Sequence, residues 1–142
     1  MIRYKLFQDN RQTSENKGKW YARAVAEETV DTEKLAEHMA SHNLPYSQGV
    51  IAGVLKDAIV CIKELVLDGK NVKLDNLAIF SAGLRTKAAD TIEAFNVTEN
   101  ILSVRLRARA TGTFRGSVLT REATKKQFTE YAPTPKSDTP QA

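Results

Sequence analysis

The segment PYSQGVIAGVLKDAIVCIKELVLDGK, residues 45–70, constrains the fold more than any other part of the chain. Val50, Ile51, Val54, Leu55, Ala58, Ile59, Ile62, Leu65 and Val66 recur at the three- and four-residue spacing of an α-helix, and Lys56, Asp57, Lys63 and Glu64 hold the polar side. Ser47 is suited to cap the first turn through its hydroxyl, and Gly69 to end the helix. So broad an apolar stripe on a chain of 142 residues calls for burial against more than one neighbour. A second copy of the chain is an economical candidate.

The period changes after Gly69. In NVKLDNLAIFSAGLRTK, Val72 and Leu74 alternate, Phe80 follows a short break, and the stretch ends on Arg85 and Lys87, which reads as a strand. Ahead of the long helix, Asp31 or Thr32 can cap a shorter one over VDTEKLAEHMASHN, with Leu35 and Met39 four apart on one face. At the N-terminus IRYKLF alternates apolar and basic residues, KWYARAV is aromatic and β-prone, and the polar QDNRQTSENKG between them predicts a β-hairpin with a long loop. AADTIEAFNVTEN is polar and mildly helical, a connection or an arm. SVLTREATKKQFTEY reads as a short helix or a further strand, and the proline-rich APTPKSDTPQA as a disordered tail.

Length and a hydrophobic content of 42% suit one globular domain with a loose end. No stretch approaches the roughly 18 apolar residues of a membrane span, and MIRYKLFQDN lacks the apolar core of a signal peptide. The single cysteine, Cys61, excludes an internal disulfide framework, so a soluble, intracellular protein is expected. Catalytic and metal chemistry find no residue set. His38 and His42 share a helical spacing with no third histidine or second cysteine to complete a site. Cys61 falls in the apolar stripe, away from any basic activator, and is expected to be a buried, inert thiol. The seven glycines are scattered and form no phosphate loop. The expectation is a non-enzyme without cofactor or metal.

Charge supplies the positive signal. Residues 1–100 carry 13 Lys/Arg against 14 Asp/Glu, whereas residues 101–142 carry 8 against 3. Within the basic part, SVRLRAR puts Arg105, Arg107 and Arg109 at alternate positions, so a strand presents all three on one side, with Val104, Leu106 and Ala108 on the other. Arginines about 6.6 Å apart along a strand repel one another unless they are solvated or face an anion. Arg115, Arg121, Lys125 and Lys126 extend the positive field, and Arg85 and Lys87 end the preceding strand. On spacing alone a solvated sheet face and a nucleic-acid-binding face explain the row equally well.

The order of helix, helix, Gly-containing turn, strand, connection, basic strand and short C-terminal element resembles the bacterial HU/IHF family of histone-like DNA-binding proteins over roughly residues 30–128. LVLDGKNVKLDNLAIFSAGLRTK resembles the family's helix-to-strand junction, with Gly69, Val72, Leu74 and Phe80 on its pattern, and SVRLRAR falls where the family returns along its arm. Asn76 and Ala78 stand where the family carries strand glycines, and the arm segment has no proline but holds Asp90, Glu93 and Glu99. The resemblance implies an α+β, IHF-like/HU-like fold: helices at the base of a β-sheet saddle with a β-arm, built as a homodimer. It implies an N-terminal β-hairpin extension over 1–29, as in a divergent branch of HU-like proteins, an HU-like domain over 30–131 and a tail over 132–142. Its functional implication is largely sequence-independent binding of duplex DNA through phosphates and nucleoid organisation in the cytoplasm, with no membrane or small-molecule partner. Arg105, Arg107 and Arg109 would line the saddle, Arg85 and Lys87 would mark the arm's base, and Arg115 would touch flanking phosphates. The alternative is an HU-derived structural or protein-interaction module with weak or no DNA binding.

Overall fold

The computed structural model describes residues 1–128; the tail expected over 132–142 lies outside the described residues. The described chain divides into two units, one formed by Met1–Thr29 together with residues 121–128, the other by Val30–Thr120.

In the first unit, β1 (Ile2–Gln8) pairs antiparallel with β2 (Trp20–Val25) and parallel with β6 (Lys125–Gln127), giving the order β2-β1-β6. SVLTREATKKQFTEY therefore holds both a helix, α4 (Gly116–Glu122), and a strand. The β1–β2 connection is built around Asp9, which is buried although charged. Its carboxylate accepts from Arg11 Nε (3.0 Å) and Nη2 (2.8 Å), from the Arg11 backbone N–H (3.0 Å) and from the Ser14 hydroxyl (2.7 Å). Those bonds, the Arg11 side chain's foremost, hold the Asp9 carboxyl well below the usual carboxylate range.

The second unit begins with α1 (Thr32–Ala40), capped by Asp31, whose carboxylate accepts from the Lys34 N–H at 2.9 Å. α2 (Gln48–Leu67) starts at Ser47, whose hydroxyl accepts from Val50 N–H at 3.4 Å. It ends in a Schellman motif: Lys70 N–H donates to Leu65 O (3.0 Å), Gly69 N–H donates to Val66 O (3.1 Å), and Gly69 takes φ 76°. α1 meets α2 through Ala36 and Met39 against Ile51, Ala52 and Leu55. Leu35, expected on the packed face, is instead exposed.

The strand expected from Val72 onward is two strands, β3 (Val72–Leu74) and β4 (Ala78–Thr86), folded into a hairpin. Asn76 makes the difference: it sits at φ 62° between them, a left-handed conformation that Asn tolerates better than most residues. β5 (Ile101–Ala110) completes the sheet in the order β3-β4-β5. The β4–β5 connection carries one helical turn, α3 (Val97–Asn100). Asn100, buried, ties it down: Nδ2 donates to Lys87 O (3.0 Å) and Ala88 O (3.3 Å), and Oδ1 accepts from Asn96 N–H (2.8 Å).

The α2 stripe exceeds the core available to it within one chain. Ile51, Ala52 and Val66 are buried, whereas Val50, Val54, Ile59 and Leu65 remain exposed. Cys61 corrects the sequence expectation for the same reason: among the described residues no element covers its part of α2, and Cys61 is exposed. No helix among the described residues is long and apolar enough to cross a membrane.

Candidate nucleic-acid interface

The register of the β3-β4-β5 sheet sorts its side chains. Ile79 lies opposite Arg109, Ser81 opposite Arg107, Gly83 opposite Arg105 and Arg85 opposite Ser103, while Lys73 lies opposite Ile79 from the other side. Residues directly opposite share a face. Lys73, Arg85, Arg105, Arg107 and Arg109 therefore stand on one side of the sheet, and no strand position on that side is Asp or Glu. The reverse side holds Val72, Leu74, Phe80, Ala82, Leu84, Val104, Leu106 and Ala108.

Gly83 sits beneath the arginines. A Cβ there would lie 2.6 Å from Arg107 Cδ, 2.9 Å from Arg107 Cγ and 3.4 Å from Arg105 Cγ. The two aliphatic stems thus lie across the strand at the one position without a side chain, and Gly83 is buried under them. All three arginines of β5 are exposed, as are Arg85 and Lys73.

Arg115 joins the row at its β5 end. It follows a 3-10 turn (Gly112–Phe114) that is pinned to the β3–β4 turn by Thr111 N–H to Leu77 O (3.0 Å) and by the Thr113 hydroxyl to Asn76 O (3.1 Å). Arg115, Arg109 and Lys73 line one cleft of about 780 Å3 together with Asp75, which approaches Lys73 Nζ at 3.6 Å. The Thr111 hydroxyl beside it is buried without a hydrogen-bond partner among the described residues.

Of the residues expected from sequence, Arg85, Arg105, Arg107 and Arg109 come together on one face, and Arg115 shares the cleft with Arg109. Lys87 lies past the end of β4, its N–H donating to Asn100 O at 2.8 Å, outside the strand ladder. Lys73 was missed. Its signal was the alternation Val72-Lys73-Leu74, which sets a lysine opposite two apolar neighbours. Lys125 and Lys126 belong to β6, in the other unit's sheet. His38 and His42 stack edge-to-face on the surface, their Nε2 atoms 3.2 Å apart. Among the described residues no three His, Cys, Asp or Glu gather as a metal site would require.

The model of the HU-HIG family, "HU domain fused to wHTH, Ig, or Glycine-rich motif", matches residues 1–126. The chain belongs to this family. The HU-HIG match takes in residues of both units, from β1 into β6. The HU-HIG chain is also similar in fold to a crystal structure of a candidate bacterial DNA-binding protein from Bacteroides vulgatus ATCC 8482, with a TM-score of 0.67 and 14% sequence identity. That likeness covers 94% of this chain and 49% of the other, so the chain spans about half the length of its structural neighbour. No curated protein matches the sequence significantly.

Proposed function

We propose that this HU-HIG chain is a histone-like protein that binds duplex DNA through its phosphates, with little reading of bases, and so helps to organise the nucleoid. The observation that carries the reading is the sheet face on which the strands place five cations, Lys73, Arg85, Arg105, Arg107 and Arg109, and no acidic residue, with Asp75 of the β3–β4 turn reaching Lys73 alone. Guanidinium groups fork onto phosphate oxygens, and a row of them follows a polyanion without selecting sequence. Arg115, in the cleft with Lys73 and Arg109, would take a flanking phosphate, and Lys87 would stand at the base of the arm. The DNA-binding description of the structural neighbour agrees with this reading.

The binding unit is a homodimer in which the sheets of two chains form a saddle. Its support is unspent apolar surface. Ile59 is 56% exposed, Val104 58% and Leu106 66%, and all three line an apolar cavity of about 460 Å3 between α2 and the apolar side of the sheet. A contiguous exposed apolar region of this kind marks an association surface.

Binding to random-sequence duplex should fall with salt at a log–log slope of about −0.9 for each phosphate contacted. Reversing Arg105, Arg107 and Arg109 to Glu should flatten the slope and remove most of the affinity. No duplex binding by the wild-type chain at about 50 mM salt would refute the proposal and favour the protein-interaction alternative, for which the acidic residues of the β4–β5 connection, Asp90, Glu93 and Glu99, argue.

A further inference from the structure

A second basic surface lies on the first unit and differs in kind from the arginine face, because it is aromatic as well as basic. The β1–β2 register sets Arg3 opposite Val25, Lys5 opposite Arg23 and Phe7 opposite Tyr21, and β6 adds Lys126 opposite Arg3. One side of the three-stranded sheet therefore carries Arg3, Lys5, Arg23 and Lys126 together with Phe7 and Tyr21. Lys5 lies directly across from Arg23, and Arg3 from Lys126. Arg3 is held in part by Glu27, at 2.9 Å.

The rings are ordered. Phe7 and Tyr21 stack with centroids 5.7 Å apart and planes 27° apart, and the Arg23 guanidinium lies over Phe7 at 4.0 Å, making a run of three flat groups. Beside it is a cleft of about 470 Å3 lined by Phe7, Tyr21, Arg23, Gln8, Asn10, Arg11 and the Asp9 that Arg11 neutralises, within the size range of small-ligand sites. Arg11 is oriented there by Asp9, which takes its Nε and one Nη2 hydrogen. Three of the five guanidinium N–H donors remain on a side chain 78% exposed.

We infer that this side of the first unit is a binding site for single-stranded nucleic acid, in which an unpaired base stacks on the Tyr21–Phe7–Arg23 run and the backbone phosphates take Arg23, Lys5 and Arg11. Duplex DNA hides its base faces and would use the cations alone. Stacking rings interleaved with cations suit a strand whose bases are free. Every residue of the site belongs to the first unit, and every residue of the duplex-binding face to the second.

The test uses the full chain carrying Glu at Arg105, Arg107 and Arg109, which silences the duplex face. Its binding is followed by fluorescence anisotropy on labelled dT20, rU20 and a random 20-base-pair duplex. Expected is binding of dT20, rU20 or both, in preference to the duplex, the two single-strand arms deciding between DNA and RNA. Tyr21→Ala should weaken it by about 5- to 150-fold, the loss of one stacking contact, while Tyr21→Phe should retain it. Arg23→Glu, an exposed substitution that leaves the strand pairing intact, should weaken it as well. The inference is overturned if single strands bind no better than duplex, which would mark a mere polyanion surface. It is overturned equally if Tyr21→Ala, with an unchanged circular dichroism spectrum, binds like its parent, or if nothing binds.

Discussion

Substituting Gly83 tests whether the arginine face works as a positioned row. In Gly83→Ala the new methyl carbon would lie 2.6 Å from Arg107 Cδ and 2.9 Å from its Cγ, against an ordinary contact of about 3.4–4 Å. These atoms belong to the middle of the side chain, so Arg107 must leave its rotamer or be pushed off it by roughly 1 Å, at a cost of about 0.5–1.5 kcal/mol. Because the guanidinium is carried away from its present position, that cost appears in binding, as a loss of about 2- to 12-fold in duplex affinity. Stability should move the other way. Gly83 has no left-handed φ to protect, and Gly→Ala at such a site stabilises by about 0.4–1 kcal/mol through the unfolded chain. Anisotropy on random duplex and a thermal melt on the same sample measure both. A variant that melts no lower but binds less tightly supports a preset row. If Gly83→Ala binds like wild type while Arg107→Ala binds weakly, the position of the stem is irrelevant and the reasoning from Gly83 fails.

Four further outcomes follow from the geometry. Leu106→Glu, on the apolar side of β5, should leave a 15.8 kDa monomer in sedimentation equilibrium where the proposed wild-type dimer would show twice that mass; equal masses for the two would contradict an interface through Leu106. Asn100→Ala removes three hydrogen bonds to the backbone of the β4–β5 connection and should cost about 1–3 kcal/mol locally, seen as faster amide exchange over residues 87–100; unchanged protection would contradict it. Gly69→Ala forces a Cβ into φ 76° and should destabilise the second unit by about 1–2 kcal/mol in denaturant titration, whereas an unaltered midpoint would rule the Schellman turn unimportant. The Asp9 carboxyl has a lowered pKa when folded, so its contribution is complete above the unfolded-chain value of about 3.9 and is lost as pH falls through the lower folded value. Trp20 fluorescence in acid titration should therefore show the first unit unfolding below about pH 4, and Asp9→Asn, already without the carboxylate, should lose that acid limb; identical curves would exclude Asp9 as its source.

The sequence announces its secondary elements where a local rule governs them. The caps of Asp31 and Ser47 and the stop at Gly69 are properties of a few neighbouring residues, and they stand where the pattern put them. The alternation of Arg105, Arg107 and Arg109 likewise survives as a single face. What was illegible depends on register between distant segments. Nothing near Lys73 says that it shares a side with Arg109, 36 residues away, because that follows from the turn at Asn76 and from the pairing of β4 with both neighbours. The same blindness explains Cys61 and Leu35: periodicity identifies a face as apolar, but only the packing partners decide whether it is covered. Lys125 and Lys126 looked like a continuation of the arginine field because they are close in sequence, yet β6 takes them into another sheet.

The parallel pairing of β6 with β1 has a bearing on how the chain matures on the ribosome. Ile2, Arg3 and Tyr4 wait for Lys125, Lys126 and Gln127, more than 120 residues downstream. Until those emerge, the N-terminal strands have only each other, and an isolated two-stranded hairpin is marginally stable in water. The intervening 30–120 segment, whose strand pairings are internal to it, is free to fold first. Removing the chain beyond residue 120 should therefore loosen its opposite end, and any dissection into separable parts has to cut the chain on both sides of the central unit and rejoin what remains.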